Sequence, residues 1–372
     1  MPNNKDMKLM IVTPNFNGGG AERIAVNLAN YYAEQGNDVS LLVFKGIGPY
    51  ENQVSDKVRL IDLKITRTRY VFFKLLKALK NERPTHVLSV IRGSNILLGL
   101  VSFFSKSYKL FFREANTMNA VVSLPLLKRI IYKTVMRFSY ISADGVIANS
   151  DDTRHDLIKN SIVSNEKVSV VGNPVLPTDY KEKSEAILNH PWFDSQDFKV
   201  ALSVGRLHSQ KNQQLLVRAF ARVSQLLPDL RIVILGEGEK KASLQKLAEE
   251  LGVLDKFEII AFQANPYPYY RNADLFVLTS DWEGFGNVLV EAMACGTPVI
   301  STDCPGGPKT ILQNGQYGTL IPVGDEEALV NALLKHFQGQ ANTDVEAAID
   351  NARKYTVESV AERYLMILTR ES

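Results

Sequence analysis

Apolar positions in this chain come in short blocks whose spacing alternates. Residues 8–14 are a nearly continuous apolar run, the pattern of a buried strand. A glycine cluster follows, Gly18, Gly19 and Gly20. After it Ile24, Leu28, Ala29, Tyr31 and Tyr32 recur at helical spacing through 21–35, with Gly36 as the stop. Further strands are predicted at 39–44, 87–91, 109–112, 145–148 and 168–171, with helical stretches between them. Strands that alternate with helices make a parallel sheet covered on both faces.

The pattern pauses at Asn173-Pro174 and across the polar stretch 181–191, then starts again. Strands at 200–204, 231–235, 257–260, 275–278 and 298–301 alternate with helices at 212–227 and 244–251. The fold class is therefore α/β, with two doubly wound parallel-sheet domains and no repeat of fixed period. The first is expected over 1–180, with a closing helix in 356–372 packed back on it, and the second over 181–355. Ligands of such sheets bind at the carboxyl ends of the strands, so a cleft between the two domains is the expected site.

Length and composition agree with two globular domains: 372 residues, 45% hydrophobic and 22% charged. The longest apolar run, 96–104, is far shorter than the ~20 residues that cross a bilayer and reads as a buried helix. The polar start of the chain does not resemble a signal peptide. Cys295 and Cys304 have neither disulfide nor zinc spacing, so a cytoplasmic setting is expected. The net charge of +3 conceals an asymmetry. Residues 1–178 hold 24 Lys and Arg against 14 Asp and Glu, whereas 179–372 hold 19 against 26. A basic first half is suited to an anionic partner.

Three strand-to-helix loops carry candidate chemistry. The glycine cluster stands where backbone N–H groups hold phosphate, but the dinucleotide fingerprint fails because Arg23 occupies its last small position. A plain tight turn is the simpler reading, but close approach of an anionic or polyhydroxy ligand is the expectation. The loop 205–212 places Arg206 and Lys211 at a strand's carboxyl end, where a fork donor and a point charge suit a diphosphate. The loop 281–291 holds Glu283 and Glu291 around a glycine turn that opens a helix. A carboxylate there can accept two hydrogen bonds from a vicinal diol, and the helix-opening N–H groups can meet a phosphate or a sugar hydroxyl. Read alone, the same residues also describe a surface turn and two solvated acids around a helix cap.

Together these loops resemble glycosyltransferase family 4. The likeness is carried by Ser-Val-Gly-Arg-Leu-x3-Lys-Asn, Leu-Gly-Glu-Gly, Ala-Asp-Leu-Phe-Val-Leu-x-Ser, E-x7-E and Gly-Thr-Pro-Val-Ile-x-Thr-Asp, all between residues 200 and 312. The resemblance implies the GT-B fold and retaining transfer from a nucleotide sugar. It implies that Arg206 and Lys211 hold the donor diphosphate and that Glu291 takes the ribose hydroxyls; so placed, Arg206 and Lys211 are expected to stabilise the charge that develops on the leaving group in a front-face transfer. Glu283 would contact the transferred sugar, with the backbone of Gly284, Phe285, Gly286, Asn287 and Val288 beside it. Phe262 would border the base, and Gly18 and Gly19 would lie near the phosphates. The segment 303–312 resembles that of relatives using UDP-hexoses or UDP-N-acetylhexosamines, with GDP-mannose the alternative. The acceptor implied is a saccharide, in particular one linked to undecaprenyl diphosphate. Relatives often carry a histidine where this chain has Ala115, so an imidazole role there is not expected. The absence of D-x-D points to cations supplied by Arg and Lys rather than by a metal, and no cofactor is expected.

On the acceptor side the candidates are Arg92, Arg113 and Glu114. Two stretches, 64–80 and 121–140, combine basic with apolar residues and contain no acid, a composition suited to an anionic membrane face. Solvated helices with snorkelling lysines are the plainer reading. A nucleic-acid partner is disfavoured because no recognition module is present. The competing functions are a sugar-nucleotide epimerase of the same fold and, from a different class, a nucleotide-binding protein without turnover.

Overall fold

The computed structural model describes residues 7–16, 20–65, 67, 70–115, 125–341 and 343–370. It divides into two units, Met1–Pro174 with Val357–Ser372, and Val175–Thr356.

The first unit is built on seven parallel strands, β1 (Lys8–Thr13), β2 (Asp38–Val43), β3 (Arg59–Asp62), β4 (His86–Ser89), β5 (Lys109–Glu114), β6 (Gly145–Ala148) and β7 (Val168–Val170). They lie in the order β3-β2-β1-β4-β5-β6-β7. Ile11 stands opposite Leu41 on one side and Leu88 on the other. Alternate side chains feed two cores, as the pleat requires. Leu9 and Ile11 pack with α1 (Gly20–Glu34) and the returning helix Val357–Leu368. Met10 and Val12 pack on the side of α2 (Val71–Glu82), α3 (Arg92–Ser102) and α4 (Leu126–Ile141). The apolar run 96–104 ends α3, but Phe103 and Phe104 are exposed beyond it rather than buried.

The second unit has six parallel strands, β8 (Lys199–Val204), β9 (Leu230–Leu235), β10 (Phe257–Ile260), β11 (Leu275–Leu278), β12 (Val299–Thr302) and β13 (Thr319–Ile321), ordered β10-β9-β8-β11-β12-β13. It starts at Val175 rather than at 181, because Val175 and Leu176 both donate their N–H to the Tyr355 carbonyl. The helix predicted at 212–227 is shorter, Gln213–Val223: Asn212 before it takes a left-handed conformation (φ 44°), and the chain leaves the helix at Ser224. Edge strands β3 and β13 have no counterpart in the sequence reading. β3 is half-exposed and β13 only three residues long, so neither leaves an apolar run.

Candidate active site

β8 and β11 are hydrogen-bonded neighbours, so the loops leaving their carboxyl ends stand side by side in the second unit. The first loop turns at Gly205, exposes Arg206, and closes through the short turn Ser209–Lys211. The second runs from Thr279 to Gly286, whose φ of 93° leads into the helix Asn287–Ala294. Main-chain and side-chain hydrogen bonds join them. Asp281 donates its N–H to Gln210 O, Gln210 Nε2 donates to Trp282 O, and Asn212 Nδ2 donates to Asp281 Oδ1.

These bonds bring Lys211 to Glu283. Lys211 Nζ donates to Glu283 Oε1 at 2.6 Å, and Ser280 Oγ donates to the same oxygen at 2.6 Å. The side chains are only 15% and 7% exposed. Glu291, one helical turn after Asn287, is buried too and accepts a 2.9 Å hydrogen bond from Tyr270 Oη. Burial, and then the Glu291 carboxylate, raise the Tyr270 hydroxyl well above its usual pKa, so it stays a donor. The two acids are therefore not solvated residues around a cap. Ionised groups withdrawn from water at the ends of parallel strands are costly and concentrate where chemistry or binding needs them.

A third loop supports the second from behind. Glu283 donates its N–H to Pro305 O, and Gly306 and Gly307 press against the carbonyls of Glu283 and Phe285. A Cβ at either glycine would overlap those oxygens, so the close approach demands glycine. Cys304 sits beneath, its thiol pushed up to about 12 by burial and the nearby Glu283 carboxylate.

Of the other residues singled out from the sequence, Phe262 is exposed just beyond β10. Phe285 is a core side chain against Tyr355, so only its backbone can face a ligand, and Val288 packs against the same core. Gly18 and Gly19 lie outside the described residues. Tyr270 escaped the sequence reading, and Ser280, the last residue of the Ala-Asp-Leu-Phe-Val-Leu-x-Ser motif, was given no role in it. Ser280 adjoins the legible 281–291 motif, whereas nothing around Tyr270 marks it as a partner of Glu291.

Arg113 and Glu114 are buried, and Arg92 is partly exposed above them. Glu114 is buried, with Oε2 taking Arg92 Nε at 2.8 Å and Nη2 at 2.7 Å. Its Oε1 receives Asn95 Nδ2 and the Tyr140 hydroxyl. Arg113 is 1% exposed and donates to Asn173 Oδ1 and Val90 O. As acceptor contacts Arg113 and Glu114 are corrected to interior residues: β5 directs them into the unit, where polar partners already satisfy much of their hydrogen-bonding capacity.

The family model described as Glycosyltransferase Family 4 matches residues 18–178, and that of Glycosyl transferases group 1 matches 188–355. The chain belongs to glycosyltransferase family 4. It is a GT-B glycosyltransferase. It is similar to the Campylobacter jejuni N-acetylgalactosamine-N,N'-diacetylbacillosaminyl-diphospho-undecaprenol 4-alpha-N-acetylgalactosaminyltransferase, with 28% identity over 88% of this chain and 89% of that one. It is also 28% identical to the amylovoran biosynthesis glycosyltransferase AmsD of Erwinia amylovora, over 97% and 99% of the two chains. Among solved structures, HepE of Anabaena in complex with UDP shares the fold at a TM-score of 0.80 and 19% identity, over 98% of this chain and all of that one.

Proposed function

We propose that this glycosyltransferase moves a hexose or N-acetylhexosamine from a UDP-sugar to a lipid-linked saccharide in bacterial surface glycan biosynthesis, with retention at the anomeric carbon. It would work as a peripheral protein at the cytoplasmic face of the membrane. The observation that carries the reading is the pair of buried acids on one loop and the helix it opens, Glu283 held by Lys211 and Glu291 held by Tyr270. Glu291 would take the ribose hydroxyls. Lys211 keeps two further N–H donors beyond the one given to Glu283. With exposed Arg206 it would face the diphosphate and stabilise the charge that grows on the leaving group. The leaving diphosphate would take the acceptor's proton in a front-face transfer, with Glu283 orienting the sugar. The positive charge comes from side chains in this scheme, so a chelator should leave turnover unchanged. The relative that acts on a diphospho-undecaprenol saccharide supports the acceptor, and the HepE complex supports UDP.

Calorimetric titration of UDP and GDP is the direct test. UDP should bind in preference to GDP, and Glu291→Ala should weaken it about 10- to 100-fold. Preference for GDP would replace the donor with GDP-mannose. Binding of neither would overturn the donor site, and an inverted product by NMR would overturn the front-face scheme.

A further inference from the structure

On the first unit, α4 turns its apolar side outward. Of its 16 residues only Met136, Ser139 and Tyr140 are buried. Leu126, Leu127, Ile130, Ile131, Val135, Phe138 and Ile141 are all exposed, Leu127 by 70%. Their spacing places them on one side of the helix, where an ordinary surface helix carries polar residues. The stripe continues onto two other helices. Phe103, just past α3, stacks on Phe138 with ring centres 4.5 Å apart. Phe104, 69% exposed, meets Phe72 of α2 at 5.5 Å, and Phe72 in turn meets exposed Phe73.

The charge on the helices of this face is mainly positive, with Asp156, beyond Asn160, an acid near Lys133 and Arg137. Lys74, Lys77, Lys80, Lys128, Arg129, Lys133 and Arg137 belong to α2 and α4, α3 and α4 contain no acid, and α2 has only Glu82 at its end. Glu82 is paired with Arg59 at 3.0 Å, and Asp144 near the end of α4 with Lys106 at 3.0 Å. Lys133 and Arg137 bond to neutral Asn160, and Lys74 to the carbonyls of Leu63 and Lys64. Their positive charge is therefore not cancelled by those partners.

We propose that the face formed by α2, the end of α3 and α4 seats on an anionic lipid bilayer, with α4 lying in the interface. The apolar stripe enters the boundary of the acyl chains while the flanking lysines and arginines meet lipid phosphates. A second copy of the chain is a poor occupant, because self-pairing would set these basic residues against one another. Insertion across the bilayer is excluded for the described residues, since no helix among them is long and apolar enough. The inference deepens the lipid-linked acceptor reading and rests on it for its purpose.

The test is flotation of the full chain with vesicles of phosphatidylcholine, with and without about one third phosphatidylglycerol. Binding should require phosphatidylglycerol and fall at high salt. The exposed double variant Leu127→Ser/Ile131→Ser should bind about 10- to 100-fold more weakly, with unchanged melting and UDP titration. Failure of the wild type to bind, or equal binding by the variant, overturns the proposal. So does self-association of the wild type that the variant abolishes without any vesicle binding. UDP binding without vesicle binding sinks this face alone, whereas vesicle binding without UDP binding leaves the face standing and sinks the donor reading.

Discussion

Lys211 and Glu283 act on each other before they act on anything else. Removing one partner strands the other's charge in a nearly dry site. Lys211→Met should therefore cost about 3–5 kcal/mol of stability. The double variant Lys211→Met/Glu283→Gln should recover much of that loss, yet transfer no sugar. Urea unfolding beside an activity assay reads both, and full loss of stability in the double variant would deny the coupling. Residue type was legible here and environment was not. The E-x7-E spacing and the Lys-Asn pair single out these residues, but only packing reveals that the Lys reaches the first Glu and that Tyr270 covers the second. The reverse holds for Arg113 and Glu114. Charged residues on a strand end read as surface chemistry, whereas the fold encloses them with Asn173, Asn95 and Tyr140. His336 carries a pH signature of its own. Burial lowers its pKa, against an opposing hydrogen bond with the Asp274 carbonyl. The unfolded chain then takes up a proton first as pH falls, so this contribution is complete above about 6.5 and is lost below it. His336→Gln should flatten the drop in melting temperature between neutral and mildly acidic pH.

At the scale of elements, the loops owe their shape to glycines that let backbones touch. Gly307 lies against the Phe285 carbonyl, and even one methyl group has no room there. Gly307→Ala should push the 281–286 loop out of place and cost about 1–3 kcal/mol from overpacking. UDP affinity should fall with it, and calorimetry showing wild-type affinity would mean that this loop takes no part in binding. The strands of the sheet interiors were legible because parallel strands covered on both faces need unbroken apolar runs. The edges were not: β3 has an exposed or half-exposed pattern throughout, and β13 buries only Ile321. Helix starts were blurred for a related reason, since the left-handed turn at Asn212 leaves no trace in hydrophobic spacing.

At the scale of the molecule, the first unit depends on Val357–Leu368 as much as on any strand. That helix buries Val357, Val360, Ala361, Tyr364 and Leu368, and Tyr32 Oη donates to its Ala361 carbonyl at 2.7 Å. Large apolar side chains contribute about 1.5–3 kcal/mol each when fully buried. Their sum rivals the roughly 5–15 kcal/mol that holds a typical protein folded. A chain ending at Thr356 should therefore lose the first unit's cooperative melting while residues 175–356 keep theirs. Two undiminished transitions in calorimetry would show that the helix is dispensable.

The same discontinuity sets an order in time. Residues 175–356 form one uninterrupted stretch, whereas the first unit is closed by a helix encoded after it. During synthesis the second unit can finish its core while the first, although made earlier, still waits for its last helix. Until that helix emerges, the apolar side of α1 remains open to chaperones. The half of the protein translated first is the half that matures last.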